Sequence, residues 1–132
     1  MQHANPLATR TFSARVVPRG IDRESCHFGL GYVSSTAAGC IASQGHTIIG
    51  VDVSDAKVAA LNEGRAPVYE PGLDDLPTAA HAEGRVKAVT SLTDELDDAD
   101  IAIVCVGAPS GVDGAHNMSY IAKVTRAIAA AI

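Results

Sequence analysis

The stretch FGLGYVSSTAAGCIASQGHTIIGVD, residues 28–52, decides how the rest of the chain is read. Gly29, Gly31 and Ser34 fill a G-x-G-x-x-G/A frame, in which a backbone turns sharply out of a strand and comes close to a pyrophosphate. Gly29 suits the tight turn and Gly31 the close approach. The third position ordinarily takes Gly or Ala so that helix and sheet pack tightly. Ser34 adds a hydroxyl where clearance is least, and overpacking of this kind costs about 1–3 kcal/mol.

The residues after the turn predict a helix from Tyr32, with Ala37, Ala38, Ile41 and Ala42 forming an apolar stripe at helical spacing. The first N–H groups of that helix, on Tyr32 and Val33, and the positive end of its dipole would face a bound diphosphate. Gln44-Gly45 ends the helix, and residues 46–51 read as a buried strand that delivers Asp52 at its carboxyl end. Asp52 follows Gly29 by 23 positions. An acidic residue about 20 positions on accepts hydrogen bonds from the adenosine ribose. Its charge would repel a 2′-phosphate, so the pattern favours NAD over NADP.

Further along, Ser54 is placed to cap a helix through Val58 and Leu61 to Gly64. A stiff loop with Pro67 and Pro71 leads to a helix over about 73–83, where Pro77 predicts a kink or a late start. Residues 86–89 read as a short strand. Ile101 to Val106 is an unbroken apolar run suited to the centre of a parallel sheet, and it ends at Gly107-Ala108-Pro109-Ser110. A last helix is expected over about 118–130. The carboxylates Asp94, Glu95, Asp97, Asp98 and Asp100 read as a solvated face, because no histidine or ligand spacing accompanies them.

Four motifs in this order, FGLGYV, GVDVSDAKV, VYEPGL and VCVGAPS, resemble the amino-terminal domain of the UDP-glucose/GDP-mannose dehydrogenase family, with the GDP-mannose 6-dehydrogenase branch the most similar by eye. The resemblance runs from about Phe28 to the end. It implies a Rossmann-like doubly wound α/β fold with a parallel sheet, incomplete here, in strand order 3-2-1-4. It implies NAD as cofactor and, for family members, oxidation of a nucleotide sugar's C6 alcohol to the carboxylate with two hydride transfers. It also implies that Lys57 lies near the adenosine ribose and that the 107–110 loop faces the cofactor. Where the family has a threonine hydroxyl on the cofactor, this chain has Ala108. The family's catalytic thiol stands in a glycine-cysteine-proline-lysine context that nothing here matches, so no catalytic residue is assigned and Cys105 is not put in its place.

Composition bounds the alternatives. With 132 residues the chain is one domain, about half of a two-lobed dehydrogenase. Aromatics at 4% against 47% hydrophobic residues leave a core of Ala, Val, Ile and Leu without stacking platforms. A net charge of −5 argues against a nucleic-acid partner. No apolar run is long enough for a membrane helix or signal peptide, so a cytoplasmic location is expected. Cys26, Cys40 and Cys105 form no C-x-x-C pair and read as small buried hydrophobes. The five histidines show no zinc spacing, so no metal site is assigned.

Two segments depart from the pattern. Residues 1–26 carry Arg10, Arg15, Arg19 and Arg23 without hydrophobic periodicity, and are read as an irregular arm before a cofactor domain over 27–132. The strand before the turn, Arg23-Glu24-Ser25-Cys26-His27-Phe28, is too polar for a central parallel strand, so burial of Glu24 or His27 requires a partner or a shifted pKa. Either the strand is short or the chain before Phe28 has another origin, through a changed reading frame or a fusion. The candidate cofactor residues are Gly29, Gly31, Tyr32, Val33, Asp52, Lys57 and Ala108. Two function classes remain open: the NAD-binding part of a nucleotide-sugar dehydrogenase, not catalytic alone and meeting its sugar only with further lobes, or a non-catalytic or vestigial dinucleotide-binding module. An S-adenosylmethionine site is a weaker third. Self-association or a partner chain is expected where the sheet is incomplete.

Overall fold

A computed structural model of the chain describes residues 21–69, 71, 75–91 and 96–131. The elements run β1 (Glu24–Phe28), α1 (Tyr32–Ser43), β2 (Thr47–Val51), α2 (Asp55–Asn62), α3 (Asp75–Ala82), β3 (Val86–Val89), β4 (Ile101–Val104) and α4 (Ser119–Ala131). The strands pair in parallel in the order β3-β2-β1-β4, as the sequence predicts. Residues 1–20 of the arm, Glu70, Leu73, Asp94 and Glu95 lie outside the described residues.

Alternation along the strands separates two faces. Cys26 and Phe28 of β1 join Ile49 of β2 and Leu96 on one side, where Val124 and Ile128 of α4 pack against them. On the other side Ile48 meets Ala38 and Ala42 of α1 and Ala80 of α3, while Leu30, Val58, Leu61 and Ala88 form a second cluster. The buried face of α1 is built only from Ser34, Ser35, Ala38, Gly39 and Ala42. Such small side chains let the helix lie close to the sheet, which is how an aromatic-poor chain still closes its core.

β1 is neither short nor detached. It pairs along its whole length with β2 and over four residues with β4. Its polar residues are accommodated individually. The Asp100 carboxylate accepts the Glu24 N–H at 3.0 Å and the Arg23 guanidinium at 2.7 Å, and these bonds hold its pKa below the ordinary value. Glu24 is pushed up, first by desolvation and then by Asp98, Asp100 and Asp22.

The two sheet edges are treated differently. On β3 the Asn62 side-chain amide donates to the Ala88 carbonyl at 2.9 Å and accepts the Ala88 N–H at 2.7 Å, so α2 occupies the backbone groups of that edge. β4 is the opposite edge rather than the centre that its apolar run suggests. It pairs only with β1, and among the described residues no strand lies beyond it, which leaves Ile101 53% and Val104 39% exposed. The strand also stops at Val104, short of the expected Val106.

Three local readings are corrected or refined. Ser54 sits at the N-cap of α2 but makes no side-chain cap bond. Cys40 is exposed on the outer side of α1 and Cys105 is only half-buried just past β4, so of the three cysteines only Cys26 is a buried hydrophobe. The helix expected over about 73–83 is described as α3 from Asp75 to Ala82, with Pro77 inside it, and the residues just before Asp75 lie outside the described ones.

Leu30 is fully buried between β2 and α2, and its branched tip fills the space that Gly50 leaves. Leu30→Ala is therefore expected to lower unfolding free energy by about 2–5 kcal/mol, whereas Val53→Ala at an exposed position should change it by less than about 0.5 kcal/mol. Urea titration of the two variants checks this, and a Leu30→Ala loss below about 1 kcal/mol would contradict the packing described.

Candidate functional site

Because the strands are parallel, the carboxyl ends of β1, β2 and β4 lie along one edge of the sheet, where ligands sit in doubly wound folds. Three segments leave from that edge: the glycine turn after Phe28, Asp52 after Val51, and the 105–110 loop after Val104. The backbone ladder extends into the first of these. Gly29 N–H donates to the Val51 carbonyl at 2.7 Å and Cys105 N–H to the Phe28 carbonyl at 2.8 Å, so the turn is held from both neighbouring strands.

The two glycines of the turn do different work. Gly29 has φ +89°, and a Cβ there would stand 2.7 Å from the Cys105 carbonyl oxygen. It is glycine for the fold. Gly31 has φ −81°, which any residue can adopt, and a Cβ there would meet nothing within 4 Å. Its missing side chain is not required by any protein neighbour, and it opens space directly in front of α1. No side chain caps that helix end and no acidic residue stands in its first turn. The first helical bond inside α1 runs from Ser35 N–H to the Gly31 carbonyl at 2.9 Å. The N–H groups of Tyr32 and Val33 lie ahead of it, on two exposed residues. An uncapped, positively polarised helix end with a vacant Cβ position suits an oxyanion.

Asp52 closes the other side. Its Oδ2 accepts the Leu30 N–H at 2.7 Å, its Oδ1 accepts the Ser54 N–H at 2.8 Å, and Lys57 Nζ lies 3.7 Å from Oδ2. An ionised carboxylate offers about four acceptor positions, so the two backbone bonds leave capacity for hydroxyl donors. Asp52 thus organises the glycine turn, with about a tenth of its side chain left exposed. Lys57 keeps about a third of its side chain exposed, and its charge is shared with Asp52 rather than wholly solvated.

The third segment is compact. Gly111 N–H bonds to the Ala115 carbonyl at 2.7 Å, Asn117 N–H to the Pro109 carbonyl at 2.8 Å, and His116 Nδ1 lies 3.2 Å from the Ala108 carbonyl oxygen. Ala108 is half-buried in this loop, and its methyl side chain offers no hydrogen bond.

Ser34, whose hydroxyl the glycine frame leaves little room for, has a polar neighbour. It is fully buried and its Oγ lies 3.3 Å from His27 Nδ1, while His27 Nε2 lies 3.0 Å from Ser25 Oγ. His27 is likewise fully buried, and desolvation pushes its pKa below the ordinary value. Both conditions set for burying His27, a partner and a shifted pKa, are met. Sequence reading flagged Ser34 and His27 separately and missed that they are partners. The signal was available only as two polar residues at odds with their elements, seven positions apart.

Residues 23–132 match the model of the UDP-glucose/GDP-mannose dehydrogenase family, NAD binding domain. The chain belongs to this family. Among curated relatives it is 42% identical over 101 residues to the GDP-mannose 6-dehydrogenase of Pseudomonas putida, covering 76% of this chain and 23% of that protein. It is 37% identical over 103 residues to the UDP-glucose 6-dehydrogenase of Rhizobium meliloti, covering 77% and 24% respectively. Among solved structures, the ternary complex of GDP-mannose dehydrogenase from Pseudomonas aeruginosa superposes with a TM-score of 0.78 at 41% identity, over 82% of this chain and 25% of that one. The chain therefore spans about a quarter of the length of these relatives. The family match agrees with NAD as the cofactor class and with the Rossmann-like fold, and it includes β1, whose polar sequence left its origin open. Among the described residues no helix is long and apolar enough to cross a membrane.

The glycines are separable by experiment. Gly29→Ala combines a left-handed φ with a backbone clash and should cost at least about 2 kcal/mol of stability. Gly31→Ala should stay within about 1 kcal/mol of wild type, since lost chain entropy in the unfolded state offsets a poorer N-cap. Equal thermal shifts for the two variants would refute this division.

Proposed function

We propose that this chain binds the ADP portion of NAD with the diphosphate on the N-terminus of α1 and the ribose on Asp52, as the cofactor domain of a nucleotide-sugar 6-dehydrogenase. The observation that carries the reading is the open Cβ position at Gly31, in front of an uncapped helix end and beside a carboxylate with acceptor capacity left. The N–H groups of Tyr32 and Val33 are the diphosphate donors. Lys57 adds positive charge near the ribose, and Gly29 acts indirectly by allowing the turn. Bound NAD would supply the hydride acceptor, while the residues here orient it. Ala108 lacks the hydroxyl of the family's threonine, which removes about 0.5–1.5 kcal/mol of binding. The substrate that fits this reading is GDP-mannose rather than UDP-glucose, in line with the identities of 42% and 37%. Oxidation of the sugar needs residues that this chain does not supply, and a cytoplasmic location goes with the NAD-linked chemistry.

The exposed edge of β4, with Ile101 and Val104, and the exposed Tyr120 of α4 with Met118 just before that helix make self-association or a partner chain part of the same reading. Purified chain should bind a hydrophobic dye and sediment as a concentration-dependent mixture. A sharply melting monomer without dye signal at high concentration would oppose it.

Cofactor binding is tested by calorimetric titration with NAD and NADP, together with an assay for NADH on GDP-mannose and UDP-glucose. NAD should bind at least about tenfold more tightly than NADP, equivalent to about 1.4 kcal/mol. Gly31→Ala should weaken NAD by a similar factor without unfolding the chain. Asp52→Ala is a less clean probe, because it also strips the acceptor from Leu30 and Ser54. No NADH should form with the chain alone. Equal affinity for NAD and NADP, or unaltered binding by Gly31→Ala, would overturn the site. NAD binding without any sugar oxidation when the chain is combined with the rest of a family enzyme would favour the non-catalytic module.

A further inference from the structure

The sheet face toward α1 carries a buried polar triplet that the cofactor reading leaves without a role. Ser25 Oγ, the two ring nitrogens of His27 and Ser34 Oγ form one chain of contacts at 3.0 Å and 3.3 Å, joining β1 to the first turn of α1. Ser34 is the third residue of α1, directly behind the Tyr32 and Val33 N–H groups. The imidazole therefore sits under the floor of the oxyanion site.

A neutral imidazole has one donor and one acceptor nitrogen, so one serine accepts from the ring and the other donates to it. Protonation turns both nitrogens into donors. Ser34 and Ser25 must then both accept, and the hydroxyl that had donated has to redirect its proton in a buried space. Among the described residues the ring's hydrogen-bond contacts are the two serine hydroxyls and no group of opposite charge. In register, His27 faces Gly50 of β2 and Ile103 of β4, neither of which ionises. α1 carries no charged residue, and its Tyr32 and Cys40 are exposed. On β1 itself, Glu24 stands three residues back among Asp98, Asp100 and Asp22. The imidazolium would be buried without a partner, which costs several kcal/mol unless the surroundings move.

We propose that His27 and Ser34 act as one positioning pair, in which a neutral imidazole fixes the first turn of α1 and a protonated one displaces it, so that the oxyanion site is formed only while His27 is neutral. This rests on the NAD reading for its functional consequence, but not for the coupling itself. Burial lowers the pKa of His27 from its ordinary value of 6.5. The unfolded chain therefore binds the proton more readily, and the stabilising effect of neutral His27 is present above pH 6.5 and lost as pH falls below it. NAD, which selects the neutral form, should weaken over the same range by the fraction of chain left competent.

Amide and imidazole NMR spectra of the full chain, recorded from pH 7.5 downward until the His27 ring has titrated and without ligand, test the coupling. The amides of Gly31, Tyr32, Val33 and Ser34 should shift with the titration of the His27 ring, and these shifts should be absent in the double variant His27→Ile, Ser34→Gly. NAD titrations across the His27 transition should show affinity falling in step with protonation of the ring in wild type and remaining flat in the double variant. His116→Gln removes the other imidazole near the site, which lies against the Ala108 carbonyl. Whatever its effect on affinity at pH 7.5, the fall in affinity as His27 protonates should persist in it. Turn amides that ignore the His27 titration, or a pH dependence that disappears in His116→Gln and persists in the double variant, would overturn the proposal. Turn amides that follow His27 in a chain showing no NAD affinity at pH 7.5 would leave the coupling standing and remove the NAD reading instead.

Discussion

The carboxylate of Asp52 is the constraint on which the site edge depends. It receives the Leu30 N–H from the glycine turn and the Ser54 N–H from the start of α2, and it attracts Lys57. These groups are 22 positions apart along the chain in the first case and two in the second. Without that acceptor, the turn amide and the loop amide would be left partly buried and unpaired, a cost of about 1–3 kcal/mol each. One side chain thus fixes the height of the turn, the departure of α2 and the negative charge that a ribose or a 2′-phosphate would meet. In the proposed site, cofactor specificity and local folding would be linked through the same two oxygens.

The two faces of the sheet solve burial in different ways. Behind β1, Cys26 and Phe28 pack into an apolar cluster closed by α4. In front, Ser25 and His27 are buried with polar partners, and α1 presents small residues to them. Hydrophobic contact there comes instead from Leu30, Ile48, Val58 and Leu61 around the polar patch. Polar groups are tolerated because each contact is satisfied within the triplet, and the low dielectric that strengthens those contacts would penalise any charge placed among them.

Much of the architecture was legible in the sequence. The apolar run of β2 ahead of Asp52 and the helix from Tyr32 follow from periodicity, turn residues and spacing, and the order of the four strands from the family resemblance. What escaped was relational. The polar strand before the turn looked short or foreign, because a central strand is expected to be uniformly apolar, and nothing in linear order shows that Ser34 reaches His27. The run at Ile101 promised a central strand, yet which side of a strand finds a neighbour depends on tertiary pairing. Cys40 looked buried by residue type, but the rotation of α1 turns it outward. For the candidate site, Gly29, Gly31 and Asp52 follow from the glycine frame and its spacing to the acid, and the fold brings them to one edge of the sheet. The finding that Gly29 is set by the Cys105 carbonyl, while Gly31 answers to no protein atom, required the coordinates.

The central claim is that the uncapped end of α1 and the Asp52 carboxylate form a single cofactor cradle. It is tested most directly by an amide NMR titration of the intact chain with NAD. The account predicts perturbations concentrated at Leu30 to Val33, Asp52 to Ser54 and Lys57, with smaller ones at Gly107 and Ala108. Perturbations centred away from this edge of the sheet, or absent from Gly31 to Val33 at saturating NAD, would contradict it.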